Sequence, residues 1–136
     1  MKRQALILVV ALVAAVTLWP GLTQAQPLPA ENIVGLWRSQ FPTPMGMGFS
    51  EVVFMPDGRF QKKVRAGELM TLDIGRYTVG QGYIHFDIED HEPKTYMGQP
   101  MQWVKSETWL FRFVNPDLII FEDRLTGTRW EAHRVR

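Results

Sequence analysis

Cysteine is absent from all 136 residues. That excludes disulfides, a thiol nucleophile, thiolate metal sites and a lipidated cysteine, so burial of apolar surface has to hold the fold. A cationic cluster is missing too: beyond Arg3 the basic side chains are scattered among acidic ones, without the electrostatic footprint of a nucleic-acid binder. After Ile33 no window of a dozen residues keeps an i, i+3, i+4 apolar stripe, so helices are not expected. The longest apolar run, Ala5 to Leu18, falls short of the roughly 20 residues that a membrane-spanning helix needs. Catalytic signatures are equally scarce. No Gly-x-Ser-x-Gly, His-Glu-x-x-His or phosphate-binding glycine loop occurs, and no enzymatic activity is expected.

What is present begins with an export signal. Lys2 and Arg3 precede the apolar run, and Thr23-Gln24-Ala25 places small residues at the −3 and −1 positions of a cleavage site. Residues 1–25 are therefore expected to be a signal peptide, which implies a periplasmic or secreted protein with no stable membrane span after cleavage. Residues 26–33, with Pro27 and Pro29, form an extended lead-in. Residues 34–136 are long enough for one domain with a single core. Without the signal peptide, thirteen basic side chains oppose fourteen acidic ones, a formal charge of −1.

Alternation and turn punctuation predict eight strands: 34–40, 49–55, 59–66, 69–79, 83–89, 107–114, 118–123 and 128–135. Phe60 and Val64 share a face with Lys62 between them; Ile84, Phe86 and Ile88 share another, as do Trp109, Phe111 and Phe113, and Trp130 and Ala132. The opposite faces carry Arg59, Gln61, Lys63 and Arg65, then His85, Asp87 and Glu89. One face is buried and the other is wet.

Connections after the second, fourth and sixth strands are tight turns: Pro56-Asp57-Gly58, Gly80-Gln81-Gly82 and Asn115-Pro116-Asp117. In an up-and-down meander these lie at one closed pole. The other pole receives the longer loops 41–48 and 90–106 together with 67–68 and 124–127. The expectation is an all-β, eight-stranded antiparallel up-and-down barrel, whose closure removes exposed edges.

These residues resemble a known family. Gly35-Leu36-Trp37 is similar to the lipocalin Gly-x-Trp signature, and Phe54-Met-Pro-Asp-Gly-Arg-Phe60 and Gly75-Arg-Tyr-Thr-Val79 resemble strand-turn motifs of bacterial lipocalin-like domains. The resemblance implies a calycin-type barrel that takes a small hydrophobic molecule at one open end. It also implies a structural group, Gly35, Trp37 and a late arginine, Arg134, packed over the tryptophan at the closed pole. The C-terminal helix and disulfides of larger members are lacking.

Several constellations are candidates for chemistry. Phe54, Lys62, Phe86, Trp109 and Phe111 are the interior candidates for ligand contact; Met47, Met97, Met101 and Trp103 are the rim candidates. The aromatics either fill the barrel or leave a modest pocket toward the open pole. An inward Lys62 requires a nearby anion, such as a ligand carboxylate, unless it snorkels to the mouth or a bulge turns it outward. The glycine-spaced methionines form an adaptable lid in this reading. Two alternatives stay open: a cell-envelope protein-interaction module with a filled barrel, and Cu(I) binding through Met45, Met47, Met97 and Met101. His85, Asp87, Glu89 and His91 alternate along one strand and read as its solvated outer face, while Asp87, Glu89 and Asp90 have no cleft to make them an acid–base set. No cofactor and no resident metal are expected.

Overall fold

A computed structural model describes residues 33–136. The expected signal peptide and all of the lead-in except Ile33 lie outside the described residues. The chain forms ten strands: β1 (Gly35–Thr43), β2 (Gly46–Phe54), β3 (Arg59–Ala66), β4 (Leu69–Gly80), β5 (Tyr83–Glu92), β6 (Thr95–Tyr96), β7 (Gln99–Pro100), β8 (Ser106–Asn115), β9 (Leu118–Asp123) and β10 (Arg129–Val135). Eight of them close into an antiparallel up-and-down barrel in the order β1-β2-β3-β4-β5-β8-β9-β10, with β10 returning to β1. β6 and β7 are a separate small hairpin within the 93–105 excursion.

The turn chemistry explains the closed pole. At β2–β3, Gly58 N–H donates to Met55 C=O at 3.1 Å, and the Asp57 carboxylate accepts from Arg59 N–H at 3.1 Å. The Arg59 N–H, together with the Arg59 guanidinium 2.7 Å from Oδ2, holds the Asp57 carboxyl below the usual aspartate range. At β8–β9, Asn115 Oδ1 accepts from Asp117 N–H at 2.9 Å. One expectation needs correcting at the open pole. Residues 41–48 are not a long loop: β1 and β2 pair out to Thr43↔Gly46, so a two-residue turn, Pro44-Met45, suffices. Proline and glycine look like loop residues in sequence, but at a barrel rim a strand pair needs few interior hydrogen bonds to continue.

Every second side chain points at the barrel axis. Trp37, Phe54, Phe60, Ile84, Phe86, Ile119 and Phe121 are essentially inaccessible. Phe86 contacts Phe60, Trp109 and Phe54, with ring centroids 4.8, 4.5 and 5.9 Å away. Trp109 carries the cluster on to Phe121 and Trp130 at 5.1 and 4.9 Å. Such edge-on and tilted pairs add to the burial energy of large rings.

The closed pole is sealed by a cation. Arg134 lies over the Trp37 ring, 4.3 Å from its centroid, and donates to Val34 C=O at 2.7 Å and Pro116 C=O at 3.1 Å. Trp37 Nε1 donates to Ile33 C=O at 2.8 Å. Gly35 serves both partners. Its φ of +131° suits glycine, and a Cβ there would sit 2.9 Å from the guanidinium.

Candidate functional site

The upper half of the barrel, toward the open pole, differs from the aromatic lower half. Alternation carries Lys62 inward between Phe60 and Val64, and cross-strand register places Val52, Lys62, Asp73 and His91 on one row. The Lys62 side chain is 11% exposed, and its ammonium bridges the carboxylates of Asp73, at 3.3 Å, and Glu107. It also lies over the Trp109 ring, 5.3 Å from the centroid. Lys62 thus faces the interior, and the anions that partner it come from the protein itself. The cost of taking an ammonium out of water is offset by two carboxylates and a π-face, with no ligand carboxylate required.

His91 departs from the expected outer face. His85, Asp87 and Glu89 do lie on the outside, but register shifts between Gly75↔Ile88 and Ile74↔Asp90, so Glu89 is an extra residue. A bulge of this kind inverts the alternation beyond it. His91 consequently shares the inner row with Asp73, stacks on Trp103 at 4.5 Å, and holds both ring nitrogens buried without a hydrogen-bond partner. Gly75 makes the bulge feasible: a Cβ on it would come within 1.9 Å of Asp87 C=O. The sequence signal for this was Gly75 in the middle of an otherwise alternating strand.

An opening lies on the side of the barrel. β1 and β10 pair only through Leu36↔Val135, Trp37↔Arg134 and Arg38↔His133. Above that point the pairing ends, and a cleft of about 660 Å³ runs along the two strands from the last pairs, at Arg38, His133 and Val135, up to Pro42 on one side and Arg129 on the other, with Ser39, Phe41 and Trp130 among its lining. Pro42 has no N–H to give β10, so the ladder could not have run to the end of β1. Ser39, Phe41 and Trp130 are the inward residues of these segments. Phe41 lies against Gly48, and Trp130 joins the cleft to the core through Trp109.

A smaller groove of about 430 Å³ lies at the mouth, where the start of β8 meets the β9–β10 turn; Glu107, Val104 and the exposed Leu125 line it. Among the described residues no group of three or more His, Asp or Glu side chains could hold a metal ion.

The nine expected ligand contacts separate into three groups. Phe54, Phe86 and Trp109 belong to the close-packed core, with Phe111 packed against it. Lys62 is engaged in its ion pairs. Met47, Met97 and Trp103 are exposed at the open pole, with Met97 in the β6–β7 turn, and Met101 is partly buried. None of the nine lines the β1–β10 cleft. Met45 lies against Gly67, and Met45, Met47, Phe49 and Met70 are exposed apolar side chains of the β1–β4 rim. Ser39, Phe41 and Trp130 were missed because a break in strand pairing leaves no pattern in the alternation on either side of it. Pro42 was the one available clue.

No protein-family model matches the chain, and no curated protein is significantly similar to it.

Proposed function

We propose that this protein is an exported, lipocalin-like binding barrel, without catalytic activity, that holds a small amphipathic molecule in the cleft between β1 and β10. One observation carries the reading: the cleft volume, about 660 Å³, falls within the roughly 300–1,000 Å³ usual for small-molecule sites. Its chemistry agrees. Phe41 and Trp130 supply apolar surface, while Ser39, Gln40 and Glu131 supply polar groups around it. The Gly35–Trp37–Arg134 arrangement accords with the lipocalin resemblance, although fold likeness supports architecture better than ligand choice. Binding would bury aromatic surface and release water held between the two strands.

The test is titration with a dansyl-labelled fatty acid after the purified protein has been delipidated by unfolding and refolded. A saturable one-to-one emission shift is expected, at least tenfold weaker in Trp130→Ala and in Phe41→Ala, and unchanged in Leu125→Ala. Absence of saturable binding, or binding indifferent to both aromatic substitutions, would refute the cleft as the site.

A further inference from the structure

The strands that border the cleft carry more than side chains. In an antiparallel ladder, alternate residues turn their N–H and C=O toward opposite neighbours. On the β2 side, Met55 N–H donates to Arg59 C=O, which sets odd-numbered β2 residues toward β3 and even-numbered ones toward β1. With Trp37↔Val52 and Phe41↔Gly48 in register, Trp37, Ser39 and Phe41 bond to β2, while Arg38, Gln40 and Pro42 face β10. On the other border, Asp123 N–H donates to Thr128 C=O and Arg134 N–H donates to Asp117 C=O. Even-numbered β10 residues therefore bond to β9, and Arg129, Glu131 and His133 face β1.

His133 finds Arg38. Glu131 and Arg129 would next meet Gln40 and Pro42, but the ladder stops before them. The β10 border thus presents two N–H donors and two C=O acceptors, at Arg129 and Glu131, to the cleft. The β1 border is blunter, because Pro42 contributes no donor.

We propose that the cleft accepts an extended peptide segment, which adds as a strand to the free edge of β10 and seats one bulky apolar side chain on Phe41 and Trp130. The proposal rests on the reading of this cleft as the binding site and names the class of its ligand. Charge in the cleft does little to oppose it or to select a sequence. Arg38 is paired with Glu51 at 2.7 Å and Arg129 with Glu122, so the flanking cations already have carboxylate partners on the barrel's outer surface. Main-chain hydrogen bonds then supply most of the affinity, and the alternate side chain that reaches the aromatic floor supplies selectivity. A fatty chain could cover Phe41 and Trp130, but it would leave the amides of Arg129 and Glu131 unmatched.

The experiment uses amide-resolved NMR and hydrogen exchange, with two blocked pentapeptides at millimolar concentration. One is acetyl-Thr-Leu-Thr-Phe-Thr-amide; the other is its analogue methylated at the backbone nitrogens of leucine and phenylalanine. In the free protein the Arg129 and Glu131 amides are expected to exchange at least tenfold faster than those of Trp130 and Ala132. The unmethylated peptide should slow them at least tenfold, and the methylated one should bind at least tenfold more weakly. Glu131→Pro removes a donor that β9 does not use, so it should abolish peptide binding while the circular dichroism spectrum stays that of the parent. If Glu131→Pro unfolds the barrel, the methylated peptide makes the same test. Slow exchange at Glu131 in the free protein, equal affinity of the two peptides, or no peptide binding overturns the proposal. Fatty-acid binding that depends on Trp130 without any peptide binding would overturn the peptide while sparing the cleft; loss of both overturns both.

Discussion

The two halves of this barrel solve the problem of filling a cylinder in opposite ways. In the closed half Phe54, Phe60, Tyr77 and Phe86 occupy the axis and a cation, Arg134, sits on the outside of the seal. Above it, Lys62, Asp73, Glu107 and His91 face inward, and the wall itself opens between β1 and β10. Apolar packing closes the first half without directional demands. The second half depends on matched polar partners, and each one lost leaves a group that water must reach. Apolar packing is therefore concentrated at the closed pole, and the wall opens toward the other.

The largest effect should come from breaking the packed half. Phe86→Ala removes the ring on which three aromatic neighbours converge, at a cost of about 3–5 kcal/mol in chemical denaturation. In the polar half, Lys62→Met leaves Asp73 and Glu107 facing each other without their shared cation, which should cost about 2–4 kcal/mol. The comparison sharpens if the combined variant Lys62→Met, Asp73→Leu, Glu107→Leu recovers that loss, since an apolar layer would then serve there as it does below. Failure to recover would mean that the charges also fix strand register.

Arg134→Lys keeps the charge over Trp37 but gives up the planar guanidinium stack and its paired donors. About 1–2 kcal/mol should be lost, read as a lower melting temperature with ligand binding unchanged. The smallest effect concerns pH. The folded Asp57 carboxyl ionises below its unfolded range, so its stabilising contribution is complete above the unfolded value and disappears as pH falls through the folded one. Asp57→Asn should flatten that part of the acid limb by a small loss of stability above the carboxyl's titration range, with variant and parent converging at acid pH, measured by denaturation across pH.

Much of the closed half was legible in the linear chain. Pro56-Asp57-Gly58 and Asn115-Pro116-Asp117 form the turns their chemistry demands, and the alternations through Ile84, Phe86 and Ile88 and through Trp109, Phe111 and Phe113 identify inward faces. Arg134 could be matched with Trp37 because the lipocalin resemblance implies a late arginine over that tryptophan, and the first and last strands meet at one pole. The open half was harder to read. The extra residue at Glu89 turns His91 from the outer face to the inner one, and alternation by itself cannot register an insertion of one. Likewise, Gly46, Met47 and Gly48 continue a strand because their neighbours across the ladder supply the pattern that their own side chains lack.

The order of side chains along the chain determined the eight barrel strands, the turns of the closed pole, the inward identity of most aromatics and the pole at which each connection lies, because period-two alternation and turn propensity are local properties. Only the tertiary structure decided that Lys62 is neutralised by Asp73 and Glu107, that His91 faces inward beneath Trp103, and that β1 and β10 part above Arg38↔His133. Those outcomes depend on register between strands distant in the chain, where one bulge or one missing N–H changes which groups meet.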